Sequence, residues 1–87
     1  MRPIPVLWSR TALDHAWVDH GVSEDELRKA LADRHHCFFR SKGGRFKFIG
    51  KTADRIIVMI LQDEGGCYRG KTAWVADATE KRLYRRR

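Results

Sequence analysis

The chain has 87 residues, and its 18 Lys and Arg against 11 Asp and Glu give a formal net charge of +7 and a pI near 10.0. A chain this short supports one modest core, which excludes a multidomain enzyme and predicts a single domain over residues 1–87. The longest apolar run has the length of a strand, so no membrane segment is expected. The basic surplus favours a polyanionic partner such as nucleic acid, an acidic protein or an anionic surface.

The first part of the chain predicts one strand and two helices. Residues 4–8 are typical of a short strand, and Ser9 is placed to cap a helix that runs to His20. Ser23 and Glu26 have the spacing of a capping box, in which each side chain binds the other residue's backbone N–H. A second helix is therefore expected directly after the first.

The second part predicts four strands and a closing helix. The strands are expected at residues 35–41, 45–51, 55–62 and 67–75, and the helix at residues 76–87 with Asp77 or Thr79 as its cap. The third of these strands is apolar at nearly every position, as expected of a central strand. The order β-α-α-β-β-β-β-α predicts an α+β domain with a mainly antiparallel sheet of four to five strands. We expect its helices to pack on one face.

Five basic residues are predicted to lie on one sheet surface: Arg45, Lys47, Lys51, Arg69 and Lys71. The first three share one face of their strand because side chains alternate between the two faces. In the last strand, the same alternation places Ala73 on the face of Arg69 and Lys71. Such a surface can track the phosphates of a nucleic acid. It also fits a solvated sheet face whose cations prevent aggregation.

The cysteines and histidines do not indicate a metal site. Cys37 and Cys67 form no CxxC pair, which predicts reduced thiols and a cytoplasmic location. His35, His36 and Cys37 are consecutive, but neighbouring strand residues point to opposite faces and cannot easily share one ion. We therefore predict no metal and no other cofactor.

Several motifs occur in an order that resembles the BrnT family, the toxins of type II toxin–antitoxin modules. They are "VLW" (6–8), "HGVSEDELRKAL" (20–31), "GRFKFIGKT" (44–52), "RIIVMI" (55–60) and "EKRLY" (80–84). The resemblance implies a RelE-like fold and a metal-independent endoribonuclease that cleaves mRNA and inhibits translation. It also implies a cognate antitoxin of the ribbon-helix-helix type, with DNA bound only through that antitoxin.

Cleavage of RNA without a metal requires groups for proton transfer and fixed cations at the phosphate. The predicted catalytic residues, all at positions that match the family, are His20, Arg45, Glu80 and Tyr84. The predicted RNA-binding residues are Lys47, Lys51, Arg69, Lys71, Trp74 and Arg82. Each catalytic assignment has a structural alternative. His20 also suits the end of a helix, and Arg45 also suits an ion pair with Glu80 or Glu26. Tyr84 also suits packing on the closing helix, and Glu80 a surface charge on that helix.

The chain departs from the family at two positions. Asp19 stands where a Lys is common, and Trp74 falls on a family motif that ends in Arg. Tryptophan cannot neutralise a phosphate, although it can stack on a base. The alternative interpretation is therefore a catalytically degenerate RelE-like module that binds nucleic acid or its antitoxin. A third is an interaction protein whose basic face serves only an acidic protein.

Overall fold

The computed structural model describes residues 4–86. Its helices are α1 (Arg10–His20), α2 (Glu24–Leu31) and α3 (Ala78–Arg86), and its strands are β1 (Val6–Leu7), β2 (Cys37–Arg40), β3 (Arg45–Lys51), β4 (Ile56–Asp63) and β5 (Tyr68–Val75). The predicted order of elements is confirmed; residue 87 of the predicted closing helix lies outside the described residues. In the described range, every helix is too short or too polar to cross a membrane.

The five strands form one mixed sheet in the order β1-β5-β4-β3-β2. Strands β2 to β5 pair antiparallel with their neighbours, as predicted, whereas β1 runs parallel to β5. Parallel pairing is possible because α1 and α2, and not a tight turn, connect β1 at one edge of the sheet to β2 at the other. The prediction of a mainly antiparallel sheet is therefore confirmed for β2 to β5, and β1 is a parallel edge strand.

Each helix begins at the residue that the sequence indicates. The Ser9 hydroxyl accepts a hydrogen bond from the third residue of α1, and Ser23 and Glu26 form both halves of the capping box of α2. Asp77 caps α3, with its carboxylate 2.8 Å from the backbone nitrogen of Glu80. Because such caps involve residues three positions apart, they are readable from local sequence.

One face of the sheet packs against α1 and α2, and we call it the closed face. Its cross-strand neighbours Phe48, Met59 and Ala73 are all completely buried. Helix α2 lies so close to β3 that a Cβ atom added at Gly50 would overlap the Ala30 carbonyl oxygen. The glycine thus permits the contact between helix and sheet.

Helix α3 packs on the opposite face, so the prediction that all helices share one face is wrong. Its Tyr84 packs with Ile49 and Val58, which form a second apolar cluster. The physical reason is that β3 and β4 carry apolar residues in both alternations, and each set requires cover. Helix α3 covers only one end of this face, which we call the half-covered face.

A β-bulge alters the predicted faces of β5. The register of β5 against β4 shifts at Lys71, which has no partner on the opposite strand. Arg69 consequently pairs with Gln62 on the half-covered face, while Ala73 pairs with Met59 on the closed face. The prediction that Arg69, Lys71 and Ala73 share a face is wrong, since strict alternation holds only in an uninterrupted strand.

Candidate nucleic-acid interface

The end of the half-covered face beyond the first turn of α3 is open. We call it the open patch. It contains two cross-strand rows from β2 to β5: Phe39, Lys47, Ile60 and Thr72 in one, and Arg45, Gln62 and Arg69 in the other. All seven side chains are exposed or partly exposed.

A buried carboxylate marks the border between α3 and the open patch. Glu80 is only 5% exposed, and its Oε2 lies 2.8 Å from the Lys47 ammonium nitrogen. The Trp74 indole N–H donates to both Glu80 oxygens, at 3.0 and 3.2 Å, and the Asp77 backbone N–H donates to Oε1 at 3.0 Å. The Lys47 nitrogen also lies 5.8 Å from the centre of the Trp74 ring. These contacts fix a carboxylate, an ammonium and an indole side by side.

Arg45 is the most available cation of the open patch. Its side chain is exposed, and its Nε donates to the Gln62 side-chain oxygen at 3.3 Å. The alternative predicted for it, an ion pair with Glu80 or Glu26, is not among the ion pairs of residues 4–86, where other cations occupy both carboxylates. A guanidinium held by a neutral amide keeps its charge available for a phosphate.

Arg69 lies at the margin of the open patch and is partly neutralised. Its guanidinium binds the two oxygens of Glu64, at 2.8 and 3.1 Å. The hydrogen bond from Arg69 holds the pKa of Glu64 below its usual value. Lys71, on the bulge, is exposed and lies outside both rows.

Two predicted catalytic residues lie away from the open patch. His20 ends α1, on the closed-face side of the sheet, with its ring 5.9 Å from that of His15. Tyr84 is buried and its hydroxyl donates to Asp33 Oδ2 at 2.5 Å. Burial raises the pKa of Asp33, but the bonds from Tyr84 and from two backbone N–H groups outweigh burial and leave that pKa lowered. The structure thus brings Arg45 and Glu80 together on the half-covered face. Tyr84 packs on the same face but away from them, with Ile49 and Val58, and His20 lies on the other side of the sheet.

The predicted RNA-binding residues divide in the same way. Lys47 lies in the open patch, and Trp74 lies on its border. Lys51 is on the same face of β3, but α3 separates it from the patch. Arg82 is exposed on α3, where its guanidinium lies 3.4 Å from the Thr79 hydroxyl.

Phe39 is an aromatic residue of the open patch that the sequence analysis missed. It pairs with Lys47 and is 40% exposed, whereas the preceding Phe38 packs against Phe46 on the closed face. Two consecutive phenylalanines in a strand must face opposite sides, and that signal was present in the sequence. An exposed ring beside cations provides a stacking surface next to phosphate contacts.

The open patch can therefore neutralise phosphates and stack on a nucleobase, and a buried carboxylate lies at its border. Elsewhere in the described residues, no three His, Cys, Asp or Glu side chains converge as metal ligands, and Cys37 and Cys67 are not joined by a disulfide. No protein-family model matches the chain, and no curated protein is significantly similar to it. The functional assignment consequently depends on the open patch and on the motif resemblance.

Proposed function

We propose that this protein is the toxin of a type II toxin–antitoxin module, a RelE-like endoribonuclease that cleaves mRNA without a metal and inhibits translation. A cognate ribbon-helix-helix antitoxin neutralises it, and the complex binds DNA only through the antitoxin. The observation that carries the proposal is the juxtaposition of two cations and an exposed aromatic ring on the open patch with a carboxylate at its border. The order of the motifs along the sequence supports the same assignment.

Single-stranded RNA is the nucleic acid that suits this surface. The Arg45 guanidinium and the Lys47 ammonium are placed to bind consecutive phosphates, and the Phe39 ring is placed to stack on an unpaired base. The patch spans the width of a few strands, at a spacing of about 4.8 Å between neighbours, which suits a segment of a few nucleotides. Because the phosphate contacts are ionic, binding weakens as salt is added.

The ion pair between Lys47 and Glu80 supplies the proton transfers. An RNA phosphate competes with Glu80 for the Lys47 ammonium, and the Trp74 indole N–H keeps only its shorter bond, to Oε1, so that carboxylate oxygen Oε2 is released. That oxygen takes the proton of the 2′-hydroxyl, the 2′-oxygen attacks the adjacent phosphorus, and the bond from phosphorus to the 5′-oxygen breaks. Lys47 donates a proton to the departing 5′-oxygen, and Arg45 stabilises the charge on the phosphorane. The products are a 2′,3′-cyclic phosphate and a 5′-hydroxyl.

A second candidate function is favoured by the burial of Glu80. Both of its oxygens already accept hydrogen bonds from Trp74, and its side chain is almost inaccessible. If these hydrogen bonds persist when RNA binds, the Glu80 carboxylate cannot act as the general base. The protein is then a module that binds RNA, or its antitoxin, without cleaving.

One assay distinguishes the two functions. Purified protein is incubated with single-stranded RNA in the presence of EDTA, and both binding and the ends of any fragments are analysed. We expect fragments with 2′,3′-cyclic phosphate ends, and their loss in Arg45→Ala and in Glu80→Gln. Arg10→Ala, which removes an exposed cation from α1, is the matched control and should cleave normally.

Two other outcomes are informative. Intact RNA with salt-sensitive binding that Arg45→Ala weakens would replace the nuclease with the binding module. Absence of both binding and cleavage by the folded protein would contradict both functions and favour the interaction protein. In cells, expression should arrest growth in the first case only, and the cognate antitoxin should relieve the arrest.

A further inference from the structure

A second cationic site lies on the other side of α3 from the open patch. There a cavity of about 340 Å³ is enclosed by the end of β3, the turn that follows it and the last two turns of α3. Four cations line it: Lys51, Arg55, Lys81 and Arg85. Its only carboxylate, among the lining residues described, is Asp54.

The charge in this cavity is not balanced. Arg55 is already neutralised, because its guanidinium binds both oxygens of Glu26, at 2.8 and 2.7 Å, and the Gly21 carbonyl at 2.7 Å. The other three lining cations form no ion pair within residues 4–86: Lys51, Lys81 and Arg85. Three such cations against Asp54 leave a surplus of two positive charges.

The ordinary role of cations at a helix end explains only part of this arrangement. Basic residues in the last turn of a helix interact favourably with its dipole, which accounts for Arg85. It does not account for Lys51, which comes from a strand, or for Lys81, which lies a turn earlier. Lys81 and Arg85 are four residues apart on one helix face, where like charges destabilise the helix unless an anion lies between them.

The elements around the cavity are fixed to one another. The Lys51 backbone N–H donates to Asp33 Oδ2 at 2.8 Å, and the Tyr84 hydroxyl donates to the same oxygen, which ties β3 to α3. The turn is closed by the Thr52 N–H, which donates to the Arg55 carbonyl at 2.8 Å. The backbone positions of the cations are thus set before any ligand arrives, which reduces the entropy lost on binding.

We propose that this cavity binds a phosphate group that carries two or more negative charges, as a phosphate monoester or a polyphosphate. Its volume is at the lower end of the range for small-molecule sites and fits one or two phosphates with part of a nucleotide. The ligand is either a free nucleotide or the phosphorylated end of an RNA chain. The proposal does not rest on the proposed nuclease function, because α3 separates the cavity from the open patch.

The test begins with inorganic pyrophosphate. Its binding is measured by calorimetry and mapped by NMR on backbone amides of the wild-type protein. We expect shifts at Lys51, Arg55 and Arg85 and none at Arg45 or Thr72. Absence of binding, or shifts confined to the open patch, would overturn the proposal, and this map needs no variant to be interpretable.

A pair of double variants tests the role of the cations. Lys81→Gln with Arg85→Gln should weaken pyrophosphate binding by about tenfold for each lost cation, because each cation forms a charge-assisted hydrogen bond with the phosphate. Lys42→Gln with Arg86→Gln removes the same charge from exposed positions outside the cavity and should change affinity less than about twofold. Equal weakening in both would show a general charge effect and overturn the site. Circular dichroism confirms that each variant is folded.

A further comparison identifies the source of the phosphate. If RNA ends are bound, a 5′-phosphorylated oligonucleotide binds more tightly than its 5′-hydroxyl counterpart, and the cavity variant removes the difference. If free nucleotides are bound, a nucleoside triphosphate binds and the two oligonucleotides do not differ. Either result supports the site. Equal affinity of the wild type and the cavity variant for all three probes would overturn it.

Discussion

The two faces of the sheet are made by the same strands but have different surroundings. On the closed face, Phe48 and Met59 are completely buried under α1 and α2. On the half-covered face, their chain neighbours Lys47 and Ile60 remain partly exposed in the open patch. Alternate residues of one strand therefore have different roles: one set stabilises the fold, and the other is available to a partner. The comparison predicts that equivalent substitutions on the two faces have unequal effects.

The largest difference in stability is expected between the alanine variants of two phenylalanines. Phe48→Ala removes a fully buried ring and should lower the free energy of unfolding by about 3–5 kcal/mol. Phe39→Ala, the same substitution on the exposed surface of the half-covered face, should cost about 0.5 kcal/mol or less. Urea denaturation monitored by circular dichroism measures both. Similar losses would mean that the open patch contributes to the core.

Two glycines provide a sharper test of how α2 covers the closed face. Gly50→Ala places a methyl group on the Ala30 carbonyl oxygen and should destabilise the protein by about 1–3 kcal/mol. Gly66→Ala is the control, because a Cβ atom there meets no other atom within 4 Å. We expect Gly66→Ala to be neutral or slightly stabilising in thermal melts. A tolerated Gly50→Ala would show that α2 can move away from β3.

RNA-binding measurements test the role of the half-covered face. Phe39→Ala should weaken the binding of single-stranded RNA by about 1–3 kcal/mol, the contribution of one stacked base. Trp17→Ala removes a ring that is 61% exposed on α1 and should leave RNA affinity unchanged. Fluorescence anisotropy at fixed salt measures both affinities. Equal losses in the two variants would place the RNA outside the open patch.

The smallest expected effect is on the pH dependence of protein stability. The hydrogen bond from Arg55 lowers the pKa of Glu26 below its ordinary 4.5, so the unfolded chain binds this proton more readily than the folded protein. The resulting stabilisation is present above pH 4.5 and is lost as the pH falls through the lowered folded pKa. In Glu26→Gln, which keeps the capping box, acid should reduce stability less steeply. Denaturation at a series of acidic pH values tests this, and an unchanged slope would contradict it.

The sequence predicted what depends on nearby residues. The caps at Ser9, Ser23 and Asp77 and the alternation of Arg45 and Lys47 with phenylalanines are encoded within a few positions, and the structure confirms them. The prediction that α3 covers the same side of the sheet as the other helices was wrong, because that side depends on which apolar face other elements leave uncovered. Local patterns therefore gave the elements and not their arrangement.

In the candidate site, too, the features that depend on distant parts of the chain were not predicted. The pairing of Lys47 with Glu80 joins residues far apart in sequence, and the sequence analysis had considered Arg45 as the partner. The bulge at Lys71 has only an ambiguous local signal, the neighbouring Gly70. Glycine inside a strand often marks a bulge, but it also permits the close approach of another side chain, which here is Trp8. The placement of His20 on the opposite side of the sheet from Arg45 follows from the path of the chain, which a helix pattern alone does not determine.

The pairing of β1 with β5 has a consequence for the order of folding. Val6 pairs with Tyr68, which is 68 − 6 = 62 positions later, so this contact closes the longest loop among the strand pairs and is entropically the most expensive in the sheet. Strands β2 to β5 are joined by short turns and can associate first, which is the faster route. The two-residue strand β1 should therefore dock last. Hydrogen exchange at Tyr68, whose N–H donates to the Pro5 carbonyl at 2.9 Å, should report the earliest opening of the sheet.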